Sequence, residues 1–354
     1  MTLAIDPQNP STLYAGTGPT PLPPGSSAVY KSIDGGLSWT AADSGIADCC
    51  VSALAVDPRD SNIIYAAWAS GRSAGGIFKS VDGGTSWTPL DSDLPGVPAP
   101  EFGALTHAID RQNPATLYAV TSTGFFKSTS AGTNWRTANL AGNVHTFAID
   151  SQNPATIYAA TVPSSGAAVS GSGVFKTTDG GGSWNAANSG IRAIPVRNLA
   201  IDPQHSGTLY AANGGKVLKT TDRGTHWIAG TLDVLKLAID RQDPDRLFAL
   251  VNDRFSGQPA KSTDGGASWS QLNLPLASND RVIDVAIDPQ DSGVVYAGTA
   301  DEGVLKSTDG GESWSLANGC GSRARCEVLL GDEHEFRRGE ANARSGISGR
   351  ASGA

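Results

Sequence analysis

Long apolar runs are missing from this 354-residue chain. No stretch approaches the roughly 20 residues that a membrane helix needs, so no membrane insertion is expected. Cysteine is scarce. Of the four, Cys49 and Cys50 are adjacent and Cys320 and Cys326 lie near the C-terminal end, which gives neither a disulfide framework nor zinc-ligand spacing. Positive charge is also short. A formal net charge of −8 argues against nucleic acid as a partner, because that grip needs a basic footprint. No segment keeps a helical period over several turns. No His-x-x-x-His, Gly-x-Ser-x-Gly or phosphate loop occurs. The Asp-Gly-Gly triplets lack the ligand spacing of a calcium loop. Neither a metal nor a cofactor is expected.

What the chain does have is glycine, 43 residues of it, and an internal repeat. An eight-residue box recurs seven times: a hydroxyl residue, any residue, Asp, Gly, Gly, any residue, a small residue, Trp. Ser32 to Trp39, Ser80 to Trp87, Thr177 to Trp184, Ser262 to Trp269 and Ser307 to Trp314 match. Ser128 to Trp135 has Ser130 in the Asp slot, and Thr220 to Trp227 has Arg223 in a Gly slot. A lysine precedes every box: Lys31, Lys79, Lys127, Lys176, Lys219, Lys261 and Lys306. A second motif, apolar-Ala-Ile-Asp followed mostly by Pro, precedes each lysine. Its aspartates, Asp6, Asp57, Asp110, Asp150, Asp202, Asp240 and Asp288, stand 38 to 53 residues apart, the period of propeller blades.

Each unit contains four short apolar or β-branched runs bounded by Pro, Gly, Asn or Asp, the punctuation of strands. The spacing predicts an all-β fold, a seven-bladed propeller of four-stranded antiparallel blades over residues 1–318. Residues 319–354 read as an irregular, Arg-rich tail that is expected to be disordered. A monomer is expected. Each box Asp (Asp34, Asp82, Asp179, Asp222, Asp264, Asp309) should accept amides of its own turn. The two glycines should permit positive φ. Each Trp (Trp39, Trp87, Trp135, Trp184, Trp227, Trp269, Trp314) should fill the wedge between blades, with its N–H on a carbonyl. The repeated lysine should be structural, with an Asp of the preceding motif as its expected partner.

The boxes resemble the Asp-box, or BNR, repeat over residues 1 to about 318. Proteins of this group include sialidases, xyloglucan-cleaving glycoside hydrolases, sortilin-type receptors and photosystem II assembly factors. The resemblance implies a propeller and an extracellular or periplasmic setting, although Met1-Thr2-Leu3-Ala4-Ile5 already belongs to the repeat and no signal peptide is visible. It leaves the chemistry open, because one fold serves many functions. Sialidase activity is not expected. The N-terminal strand has no Arg, and Ile194-Pro195 stands between Ala193 and Val196 in place of a Phe/Tyr-Arg-Ile-Pro motif.

A meander puts the Asp-Pro turns and the boxes on one face. The irregular loops then fall on the other, and loops on a rigid scaffold are where function concentrates. Candidate ligand-binding residues there are Trp68, able to stack on a sugar, and Arg72, Arg192, Arg197, Arg254 and Arg281, able to converge on an anion. Glu101, Asp253, Asp280, Asp284 and Asp301 are that face's off-template carboxylates. A glycoside hydrolase would need two at a set separation, and Asp253, Asp280, Asp301 and Glu101 are the catalytic candidates. The reading that fits best is a non-catalytic propeller binding a protein, peptide or glycan on the irregular face. The alternative is a carbohydrate-active hydrolase or lyase with its site in the central depression.

Overall fold

The computed structural model describes residues 2–17, 28–46, 51–68, 76–90, 106–121, 124–140, 142–162, 173–191, 196–212, 215–251, 259–277, 280–300 and 302–317. Within them the chain is all β. Blade one consists of Thr2–Ile5, Leu13–Gly16, Val29–Ser32 and Thr40–Ala41, paired in sequence order and antiparallel. Four more sheets repeat this order. The sixth sheet has seven strands, because one 12-residue strand, Ile228–Ile239, serves two blades. Its first half pairs with Lys216–Thr220 and its second half with Leu247–Val251. Counting that strand as the outer strand of blade five and the inner strand of blade six gives seven four-stranded units among the described residues. The remaining inner strands are Val51–Val56, Thr106–Ile109, Asn143–Ile149, Asn198–Ile201 and Val282–Ile287.

The core lies at the seams between blades. Each second strand carries a Leu-Tyr-Ala type sequence, and Tyr14, Tyr65, Tyr118, Tyr158, Tyr210 and Tyr296 are almost wholly buried. A typical seam packs Tyr14, Val29 and Ala42 of blade one against Ile64, Ala66 and Trp87 of blade two. Burying surfaces of this size on both sides of every blade is the main driving force for the ring. The seam between blades seven and one has the same character, with Tyr296, Val304 and Ala317 against Leu13 and Trp39. No strand exchange is needed to close the circle.

Polar contacts lock each box to the blade before it. In blade two, Ser86 donates from its amide (2.8 Å) and hydroxyl (2.6 Å) to the Asp82 carboxylate, and the Ser80 hydroxyl accepts from the Gly84 amide at 2.8 Å. Gly83 and Gly84 have φ of 69° and 90°, which a side chain would make costly. The Trp87 Nε1–H then donates to the Ala42 carbonyl of blade one at 2.7 Å. The same reach is made by Trp39 to Ala317, Trp135 to Leu90, Trp184 to Ala138 and Trp227 to Ala187. Trp269 and Trp314 instead donate within their own boxes. Trp87, Trp135 and Trp227 are buried, and the other four are half-buried.

The repeated lysine has a different partner from the expected aspartate. The Lys31 ammonium donates to the Gly83 carbonyl of the following box at 2.8 Å and stands 5.5 Å from the ring centre of Tyr14. The Tyr14 hydroxyl donates to the same carbonyl at 3.1 Å. Blades three, five and seven repeat this clasp on Gly180, Gly265 and Gly35. A main-chain carbonyl next to an aromatic face satisfies the cation without the cost of burying a second charge. In blade six Phe248 replaces the Tyr, and Lys261 turns to Glu312 at 2.8 Å.

Closer to the axis, the Asp-Pro turns form a belt. Each motif Asp accepts the amide two residues on, as Asp6 does from Gln8 at 2.9 Å. That second residue then reaches the next turn. Gln8 donates to Pro58, Arg59 to Gln112, Gln112 to Ser151, Gln152 to Gln204, Gln204 to Gln242, Gln242 to Pro289, and Gln290 back to Pro7. The belt is closed.

Candidate functional site

The inner strands surround a central channel. One cavity of ≈ 290 Å³ runs along blades one to three, where Leu3, Leu54, His107 and Arg111 contribute to its wall. A second, of ≈ 200 Å³, runs along blades four to six beside Ala148, Ile201 and Arg241. The wall is mainly Ala, Ile and Pro, so its few polar groups define its chemistry.

Towards the irregular face the inner strands are bulged. In blades two, four, six and seven the register shifts by one residue at Ser52, His145, Leu235 and Ile283. Each follows a buried valine: Val51, Val144, Val234 and Val282. Each inserted residue is more exposed than its valine. A bulge re-aims one side chain without breaking the sheet. Blade five has the same sequence pattern, buried Val196 followed by exposed Arg197. His145 and Arg197 are thus neighbours around the rim. Burial, followed by the charge of Arg197, holds the His145 imidazole below its ordinary value. His145 is therefore neutral at pH 7, and the rim's charge here is that of Arg197.

In blades five and seven the residue after the exposed rim position reaches the next blade and caps an inner-edge amide. Asn198 Oδ1 accepts from Leu237 N at 3.0 Å, and Asp284 Oδ2 accepts from Leu3 N at 3.0 Å. The other oxygen of Asp284 is ion-paired with Lys236. Asp284 is 5% exposed, so its charge is compensated where it stands. The importance of Lys236 and Asn198 is missed by sequence reasoning. The signal that finds them is the Val-x pair that opens five of the inner strands.

The sequence candidates are placed as follows. Asp280 is buried, and its carboxylate accepts the amides of Arg281 (2.7 Å), Ala300 (3.0 Å) and Glu302 (2.9 Å). It fixes the connection between the second and third strands of blade seven. Arg197 and Arg281 are exposed. Trp68 ends the second strand of blade two, opposite Val51 and Gly76. Glu101, Arg72, Arg192, Asp253, Arg254 and Asp301 lie outside the described residues, as do most of the irregular loops and the segment 319–354. Among the described residues no group of three or more His, Cys, Asp and Glu could hold a metal ion, and no helix is long and apolar enough to cross a membrane.

The shape of the chain is similar to solved structures of known proteins. A GH74 xyloglucanase from Xanthomonas campestris superposes with a TM-score of 0.71 at 18% identity, over 90% of this chain and 54% of the other. YCF48 bound to D1 peptide superposes with a TM-score of 0.54 at 18% identity, over 75% and 79%. PorZ, a bacterial surface component of the type-IX secretion system of Porphyromonas gingivalis, gives 0.61 at 17%, over 86% and 46%. The chain therefore spans about half the length of the xyloglucanase it resembles. No protein-family model matches the sequence, and no curated protein does. At these identities the likeness carries the fold: the chain is an all-β propeller built of four-stranded antiparallel blades.

Proposed function

We propose that this protein is a non-catalytic Asp-box propeller that binds a protein, peptide or glycan at the irregular-face mouth of its channel. The observation that carries this reading is the state of two carboxylates on that side, Asp280 and Asp284. Asp280 is held by three amides, and Asp284 by Lys236 and the Leu3 amide. Neither is arranged to flank a scissile bond as a proton donor or nucleophile. What the rim presents instead is recognition chemistry on a rigid frame. Arg197 and Arg281 are exposed cations, Leu235 is 46% exposed, and His145 is a neutral imidazole. The known structures of similar shape include both a glycan-cleaving enzyme and a propeller bound to a peptide. That range is consistent with either ligand class.

The test is a paired screen. Purified protein is passed over peptide and polysaccharide arrays, and the same polysaccharides are checked for cleavage products. Binding without cleavage, weakened at least fivefold by Arg197→Ala or Arg281→Ala, is the expected result. Cleavage that disappears in Asp253→Asn or Asp301→Asn would replace this reading with a hydrolase or lyase.

A further inference from the structure

The opposite mouth of the channel holds two arginines that the repeat does not call for. The residue after the motif Asp is proline in four blades and Ser151 in blade four, but Arg111 in blade three and Arg241 in blade six. Both line the channel cavities, beside Pro58 and Pro203 respectively. Blades three and six stand on different sides of a seven-membered ring, and the two arginines line separate cavities of the channel.

Neither side chain has a hydrogen bond or an ion pair among the described residues. The aspartates next to them in sequence are turned away and occupied. Asp110 Oδ1 accepts from Gln112 N at 2.9 Å, and Asp240 Oδ1 accepts from Gln242 N at 2.9 Å. Asp240 Oδ2 faces Arg246, not Arg241, at 3.5 Å. Arg111 is exposed, whereas Arg241 is partly withdrawn from water, and burial alone pulls its guanidinium below its ordinary value, with no carboxylate restoring it. A guanidinium carries five donors and stays charged. Placing one in an apolar-walled channel without an acceptor costs stability unless a ligand supplies the acceptor. In a chain of net charge −8, two uncompensated cations at one mouth make a local exception.

The geometry points to an anion site at the Asp-box-face mouth of the channel, centred on Arg241 with Arg111 across the channel, that takes a small free oxyanion. Oxyanions match the planar fork of arginine, which grips two oxygens at once. The cavity beside Arg241, ≈ 200 Å³, admits a phosphate, a sulfate or a small carboxylate.

Isothermal titration of the full chain with inorganic phosphate, and separately with sulfate and malonate, tests this at constant ionic strength. Saturable binding is expected, weakened at least tenfold by Arg241→Gln and at least threefold by Arg111→Gln. Preference for malonate over the inorganic ions would identify a carboxylate ligand, and the reverse an inorganic one. Each variant is checked by circular dichroism; Arg241→Lys, which keeps the charge but loses the fork, serves as a second variant and should bind more weakly than wild type. No saturable binding of any of the three, or unchanged affinity in both Gln variants, overturns the site. Arg197→Ala and Arg281→Ala should leave phosphate binding intact, so a failure on the irregular face is distinguishable from a failure here.

Discussion

The boxes of blades two and three are the same turn built with different materials. In blade two the Asp82 carboxylate takes two bonds from Ser86, at 2.8 and 2.6 Å, and a third from the Ser80 hydroxyl at 2.8 Å. In blade three Ser130 stands in its place. It accepts the Asn134 amide at 3.0 Å, and its contact with Ser128 lengthens to 3.4 Å. The Trp135 Nε1–H reaches Leu90 at 3.3 Å, against 2.7 Å for Trp87 to Ala42. Ala131 occupies the left-handed slot, at φ 53°, that Gly83 fills at 69°. The worn box still forms. Its neighbours dictate the turn, and the aspartate tightens a conformation that is already imposed.

Removing what both boxes share should therefore hurt most. Trp227→Ala takes out a buried indole together with its bond to Ala187, and a loss of about 3–5 kcal/mol is expected in urea unfolding. Trp184→Ala, at a half-buried position, should cost less, and equal losses would break the link between burial and effect. Next come the buried first-position hydroxyls. Ser80→Ala and Ser128→Ala each strand a buried glycine amide, at a cost of about 1–2 kcal/mol in either blade. A loss confined to blade two would show that the worn box is not held in the same way.

The aspartates are the part that differs, and pH reads them out. Bonds from the Ser38 and Ser86 hydroxyls and amides hold Asp34 and Asp82 at about 2, against an ordinary 3.8. Asp222, bonded mainly through the His226 amide, and Asp264, through Ser268, are at about 2 as well. A carboxylate whose value is depressed in the fold contributes stability above its unfolded value and loses it as pH falls through the folded one. The melting temperature should thus decline between about pH 4 and pH 2, and Asp82→Asn should flatten part of that decline. Ser130→Ala, which removes no charge, should leave its slope unchanged. The smallest effect expected is a gain. Ala131→Gly and Arg223→Gly relieve positive φ of 53° and 62°, and each should stabilise by about 0.5–1 kcal/mol after the added chain entropy is counted.

The blades were legible in the sequence because the box spends side chains whose identity matters, and it does so seven times. The partner of the repeated lysine was not legible. Lys31 donates to a backbone carbonyl in the next repeat, and carbonyls carry no letter. The closed belt left only a faint trace, a Gln recurring two places after the motif Asp. Asp280 looks like any surface acid until three amides are seen around it. The candidate site was legible only as a face. Which of its residues meet depends on bulges in the inner strands, where a one-residue shift decides whether a side chain faces the axis or the neighbouring blade.

Gln290 donates to Pro7 just as Gln152 donates to Pro203, and Trp39 reaches Ala317 just as Trp87 reaches Ala42. The joint between the last blade and the first is chemically one joint among seven. The molecule accordingly has a beginning only as a polypeptide. As a mechanical object it is a hoop, and load placed on one blade is shared in both directions around it. Opening the hoop between its last and first blades would require the same kinds of contact to give way as opening it between blades one and two.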